Sequence, residues 1–247
     1  MEKVTELEIA KMIDHSLLHP TMTDEILKQG CEIAKKYNVA SVCIKPYAVK
    51  MAVELLKDTE VMVGTVIGFP HGSNTVDVKV FETKQAINDG AVEIDMVVNI
   101  GKVLSEEWEY VKNEIQAINK ICKEHNAALK VIFENDYLPE DKYKIKLCEI
   151  CNEAGVDFVK TSTGYGFTKQ PDGSYNYKGA TEHDLELMRK YSDNNIQVKA
   201  AGGVRTLQDT LKVRQLGVTR IGATATEKII LELRGESAED KQTPAGY

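Results

Sequence analysis

The sequence predicts an α/β protein folded as one (β/α)8 barrel, the TIM-barrel architecture. Three observations carry the prediction. Short β-branched runs alternate with amphipathic helical stretches, as a parallel sheet with crossover helices requires. Eight such runs fit within 247 residues, and about 250 residues is typical for eight βα units. The runs are apolar on one face and polar on the other. That pattern suits a closed barrel better than a doubly wound open sheet, whose strands need apolar residues on both faces.

The strand candidates in chain order are IDHSLL, ASVCIKP, VMVGTVIGFP, VEIDMVVN, ALKVIFEN, DFVKTSTG, QVKAAGG and TRIGAT. Between most of them lie helical patterns, such as TDEILKQGCEIAKKYN and SEEWEYVKNEIQAINKICKEHN, and ATEKIILELRGE supplies a last helix. Several begin with Ser, Thr or Asp and end near Gly or Asn, as helix caps require. A single barrel domain is expected over 1–235. A hairpin-like insertion is expected at 167–179, built on the Asp172-Gly173 turn signal. It follows the strand that carries Lys160, where the active-site loops of a barrel lie. The polar tail 236–247 is expected to be flexible and ends in an aromatic, Tyr247.

Alternation along the strands sorts the side chains. Val92, Ile94, Met96 and Val98 share one face, opposite Glu93, Asp95, Val97 and Asn99. Val42 and Ile44 oppose Ser41, Cys43 and Lys45; Leu129, Val131 and Phe133 oppose Lys130, Ile132 and Glu134; Val198 and Ala200 oppose Gln197, Lys199 and Ala201. The greasy face is expected to pack on helices. The other brings Asp95, Lys130, Lys160 and Lys199 toward the barrel interior near its mouth.

Composition narrows the function. The chain is 43% apolar and 28% charged, an ordinary soluble balance. A net charge of −7 argues against a nucleic-acid or anionic-membrane surface. No apolar run approaches the roughly 20 residues of a membrane span, and the start has no apolar signal region. Five cysteines, an odd number, fit a reduced cytoplasm. The pair Cys148 and Cys151 has redox or zinc spacing, but no second pair and no nearby His, and Cys151 recurs with Leu147, Ile150 and Ala154 at helical spacing.

Inward lysines have a chemical use. Ammonium groups brought together repel, and burial penalises their charge, so a lysine pKa falls. A lysine holding some free amine attacks a carbonyl and forms a Schiff base. Asp95 supplies a carboxylate for ion pairing or proton relay. The competing reading of each lysine is a strand-end residue reaching solvent, or a structural ion pair. Later, AAGGVRT places Gly202, Gly203, Arg205 and Thr206 at one strand end, and RIGATAT places Gly222, Thr224 and Thr226 at the next. Glycine turns and a helix N-terminus suit a phosphate, and barrels often bind one after strands seven and eight.

The motifs IDHSLLHP, VCIKP, GFPHG, EIDMVVN, LKVIFEN, FVKTSTGYG and VKAAGGVRT together resemble the deoxyribose-phosphate aldolase family, from Asp14 to Arg205, with RIGAT extending the match. The resemblance implies a class I aldolase that needs no metal or other cofactor. It implies reversible cleavage of a small phosphosugar, 2-deoxy-D-ribose 5-phosphate, to glyceraldehyde 3-phosphate and acetaldehyde. Lys160 is then the Schiff-base lysine, Lys199 the cation that depresses its pKa, and Asp95 the proton donor and acceptor. Asp14, Cys43 and Lys130 line the pocket with Thr163 and Gly164; Gly202, Gly203, Arg205, Gly222 and Thr224 surround the phosphate. A homo-oligomer, dimer or tetramer, is expected. Departures include His19 for a lysine, Asn135 after Glu134, Ala225 for a serine, and the long 167–179 segment, which bears on substrate range. Another phosphosugar barrel enzyme, or a phosphosugar-binding protein without catalysis, is the alternative.

Overall fold

Eight strands pair in parallel and close on themselves into a barrel. The structure is a computed structural model, and it describes residues 4–236. The strands are β1 Ile13–Leu17, β2 Ser41–Ile44, β3 Met62–Ile67, β4 Glu93–Val97, β5 Ala128–Ile132, β6 Phe158–Lys160, β9 Gln197–Ala201 and β10 Val218–Ala223. The short strands β7 Thr168–Lys169 and β8 Tyr175–Asn176 form an antiparallel hairpin outside the barrel. Its turn is pinned by Asp172, whose Oδ1 accepts from the Ser174 N–H at 2.9 Å, and Gly173 takes a positive φ there.

The helices are α1 Glu6–Ala10, α2 Asp24–Lys36, α3 Val49–Leu56, α4 Val76–Asn88, α5 Ile100–Leu104, α6 Trp108–Glu124, α7 Asp141–Ala154, α8 Glu182–Tyr191, α9 Leu207–Gln215 and α10 Thr226–Arg234. Caps fix many of their starts. Thr23, Thr181 and Thr206 each accept from a backbone N–H of the first turn, satisfying a donor the helix leaves open. Gly155 and Gly235 end α7 and α10 in the left-handed conformation. Helices α1 and α5 are additions to the sequence reading. Each has five residues, too short for a 3.6-residue period to show. The Thr5–Glu8 capping box was the available sign for α1.

The greasy strand face does meet the helices. Val42, Ile44, Ile94, Met96, Leu129, Val131, Val198 and Ala200 are buried in one apolar layer with Leu27, Ile115, Leu147, Leu185 and Ile229 from the helices. Each large aliphatic side chain withdrawn from water there stabilises the fold by about 1.5–3 kcal/mol. A smaller cluster, Leu18, Cys43 and Val66, lies elsewhere, with Phe69 and Tyr165 against it. Cys148 and Cys151 are both buried in α7, and burial pushes the Cys148 thiol up to about 12. They fill core rather than present thiolates. The expected tail and Tyr247 lie outside the described residues, apart from Glu236. Among the described residues no helix is long and apolar enough to cross a membrane.

One close approach fixes the β3–α4 connection. Gly72 has φ +68°, and a Cβ there would stand 1.9 Å from the Val98 carbonyl oxygen. Gly155 has a similar φ, +63°, with nothing within 4 Å. Gly72→Ala and Gly155→Ala therefore share the left-handed penalty but not the clash. Urea unfolding should show Gly72→Ala less stable by about 2 kcal/mol than Gly155→Ala; equal losses would refute the close-packing account.

Candidate active site

Strand register assembles the polar face. Asp95 stands opposite Lys130 across β4–β5, and Lys160 opposite Lys199 across β6–β9. Their side chains converge inside the barrel with those of Asp14, Glu93 and Arg220. Asp95 Oδ2 accepts from Lys160 Nζ at 2.7 Å and from Lys199 Nζ at 2.8 Å. Asp95 Oδ1 has Lys130 Nζ at 3.4 Å and accepts no hydrogen bond. Asp14 accepts from Lys199 at 2.5 Å, Lys130 at 2.8 Å, Ser41 Oγ at 2.8 Å and Arg220. Glu93 accepts from Lys130 at 2.5 Å and Arg220 Nη2 at 2.9 Å.

Three carboxylates thus face four cations. If all seven groups are charged, the interior carries 4 − 3 = +1. A water-poor interior disfavours an unmatched charge, so one base is best left without its proton. The contacts decide which. Lys130 reaches Asp14, Glu93 and Asp95; Lys199 reaches Asp14 and Asp95; Arg220 reaches Asp14 and Glu93. Lys160 has Asp95 alone, which it shares.

The titration tendencies follow. Burial lowers the Lys160 pKa; Asp95 opposes that, and the Lys199 ammonium adds to it. Burial also works against charge on Lys130 and Lys199, but the carboxylates around each outweigh it and raise both. Asp14 and Asp95 are held below the usual carboxylate range because adjacent cations overcome their burial. The Lys199 ammonium acts on Lys160 in the same sense as burial. Burial, however, is the larger cause.

A cavity opens above this layer. It is lined by Cys43, Lys160, Thr163, Gly164, Lys199, Gly202, Gly203, Arg205, Gly222 and Thr224, together with Ser16, Leu18, Tyr165 and Tyr177. All five residues expected around a phosphate therefore share one wall system with both lysines. Asp14 and Lys130, expected on the pocket wall, do not line it. They lie beneath it, inaccessible to solvent, because their charges are consumed in the network. Asp95 is equally buried under Lys160 and Lys199. Burial pushes the Cys43 thiol up to about 11, so it lines the cavity as a neutral group.

Five contributors escaped the sequence reading. Glu93 and Arg220 complete the network. Alternation placed Glu93 inward, and the same phase applied to VTRIGA gives Arg220. Tyr165 packs against Cys43 and Val66, and Tyr177 arrives from the hairpin; both lie outside any strand, where no alternation reports their facing. Glu134, also read on the inward face, anchors the loop after Lys160. It sits at φ +59° and accepts from the Thr163 N–H at 3.1 Å and from the Thr163 hydroxyl. Burial pushes its carboxyl up to about 7 against those hydrogen bonds.

A buried amine beside a carboxylate, opening on glycine-rich strand ends of a parallel barrel, defines a carbonyl-attacking lyase of the aldolase class. A family model described as DeoC/LacD family aldolase matches residues 8–230, and the chain belongs to that family. It is 51% identical over 227 residues to a deoxyribose-phosphate aldolase of Rhodopirellula baltica, covering 92% of this chain and 90% of that one. A crystal structure titled as a putative deoxyribose-phosphate aldolase from Coccidioides immitis superposes with a TM-score of 0.85 at 35% identity, over 95% of this chain and 88% of that one. A deoxyribose phosphate aldolase from Aeropyrum pernix, titled as a unique tetrameric structure, gives 0.82 at 28% identity, over 93% and 92%.

Glu134 makes a signed pH prediction. A carboxyl whose folded pKa is raised binds more protons folded than unfolded, so its contribution to stability falls as pH rises from about 4.5 to about 7. His15, pushed down to about 4 by burial, acts in the opposite sense over an overlapping window. Wild-type stability therefore conceals both effects, and a difference measurement separates them. Relative to wild type, Glu134→Gln should gain about 3 kcal/mol between pH 4.5 and pH 8. Urea unfolding at both pH values tests this; a difference independent of pH would rule out the buried, proton-holding carboxyl.

Proposed function

We propose that the protein cleaves 2-deoxy-D-ribose 5-phosphate reversibly to D-glyceraldehyde 3-phosphate and acetaldehyde, by Schiff-base chemistry and without a metal. One observation carries the assignment of the nucleophile. Of four cations in the interior, Lys160 alone has a single shared carboxylate, and it opens into the cavity.

Lys160 Nζ attacks C1 of the open-chain sugar, and loss of water leaves a protonated imine. The imine withdraws electrons from the C2–C3 bond as the C3 hydroxyl gives up its proton. Glyceraldehyde 3-phosphate departs, the enamine is protonated at C2, and hydrolysis frees acetaldehyde and Lys160. Asp95 is the proton donor and acceptor of this reading, acting with the cations it pairs; its Oδ1, which accepts no hydrogen bond, leaves an acceptor open for that role. Because Asp95 is buried, protons pass to substrate through Lys199 Nζ, which touches both Asp95 and the cavity, or through water. Gly202, Gly203, Arg205, Gly222 and Thr224 hold the phosphate.

This reading includes a homo-oligomer, dimer or tetramer; the tetrameric structure of the Aeropyrum pernix relative supports it. It also includes a reduced, cytoplasmic setting, supported by five buried cysteines that are all free. The charge of −7 supports small-molecule rather than nucleic-acid partners.

Borohydride reduction in the presence of acetaldehyde, followed by peptide mapping, tests the nucleophile. The label should fall on Lys160; a label on another lysine rejects the assignment. In Lys199→Met the neighbouring cation is gone and Asp95 is released to Lys160, so both changes raise the Lys160 pKa. The midpoint of the trapping pH profile should move upward by about one unit, and an unmoved midpoint would remove Lys199 from the tuning.

A further inference from the structure

The hairpin at 167–179 ends on the phosphate side of the cavity. Its returning leg is clamped from below. Asp136 accepts from the Lys178 N–H at 2.5 Å and the Gly179 N–H at 3.0 Å. The next N–H, of Ala180, donates to the Gly202 carbonyl at 3.0 Å. Gly179 and Gly202 touch backbone to backbone: a Cβ on Gly179 would stand 2.5 Å from the Gly202 oxygen.

These contacts leave Tyr177 little freedom. Its ring meets the Phe167 ring edge-to-face at 5.1 Å. On its other side it lies over Gly202, where a Cβ would come 3.4 Å from Tyr177 Cε2. Arg205 Nη2 donates to the Tyr177 hydroxyl oxygen at 3.4 Å. The phenol therefore accepts from the guanidinium and keeps its own O–H for another acceptor. Tyr177 and Arg205 both line the cavity that holds Lys160.

We propose that Tyr177 is a specificity residue for the phosphate end of the substrate. It donates its O–H to a phosphate oxygen while steadying Arg205 beside the same group. Asp136 is a positioning residue that acts through it by fixing the hairpin leg. A hydrogen bond from the phenol to a charged phosphate oxygen is of the stronger, charge-assisted kind. The substrate's identity rests on the proposed function; binding of the anion does not.

Three measurements on Tyr177→Phe test it: KM for 2-deoxyribose 5-phosphate, KM for unphosphorylated 2-deoxyribose, and the dissociation constant of inorganic phosphate by equilibrium dialysis. The first and third should rise about tenfold, the lower end for losing a hydrogen bond to a charged group, and the second less than about twofold. Asp136→Ala should give the same split. Tyr175→Ser, on the exposed part of the same hairpin, should leave all three unchanged. Equal changes for the phosphorylated and unphosphorylated sugars, or unaltered phosphate binding, would overturn the proposal. Borohydride trapping of acetaldehyde by each variant shows that the lysine site still folds. If wild type fails to cleave the phosphosugar, the aldolase reading falls, while phosphate dialysis on Tyr177→Phe still decides the role of Tyr177.

Discussion

A buried excess of one cation over carboxylate organises this molecule. Asp14, Glu93 and Asp95 cannot satisfy Lys130, Lys160, Lys199 and Arg220 together, and the shortfall falls on the residue with fewest partners. Most buried ion pairs are balanced, because an unpartnered charge in a low dielectric is costly. Here the imbalance and burial both lower the Lys160 pKa, the direction in which a lysine gains free amine. Lys130 and Arg220 need never meet substrate for this to work; they occupy Asp14 and Glu93, and leave Lys160 with one shared partner.

The surrounding structure keeps that balance fixed. Behind the C-terminal end of β4, Lys79 Nζ donates to the Val97 carbonyl at 2.7 Å and to Glu114 at 2.5 Å, and Glu114 accepts from the Asn99 N–H at 3.0 Å. Both side chains are wholly buried. Burial lowers the Lys79 pKa and raises that of Glu114, so each shifts toward neutrality. This second pair is matched one to one and faces the helices, and its task is to hold the segment that follows Asp95. Two lysine–carboxylate systems thus sit on opposite sides of one strand. The matched one is inert, and the mismatched one opens into a cavity.

The barrel, its strands and the inward lysines were legible in the sequence because period-2 alternation reports facing directly. The same alternation that gave Asp95 also gave Glu93, whose role stayed hidden because its partners Lys130 and Arg220 lie 37 and 127 residues away. Depth was not legible at all. Asp14 and Lys130 read as pocket residues, yet they sit below the floor, and period 2 states which way a side chain points but not which layer it occupies. Loop-borne groups were the hardest. Tyr177 depends on how far a hairpin folds back, which Asp136 decides from another connection.

The contacts that tune Lys160 are all distant along the chain. Asp95 is 65 residues from Lys160 and 104 from Lys199; Asp14 is 185 from Lys199 and 206 from Arg220. The last two span the seam where β1 meets β10, so they exist only once the cylinder has closed. Before closure, every lysine of the set is an ordinary solvated ammonium with very little free amine at neutral pH. The tuned environment of Lys160 is therefore a property of the completed ring rather than of any segment within it.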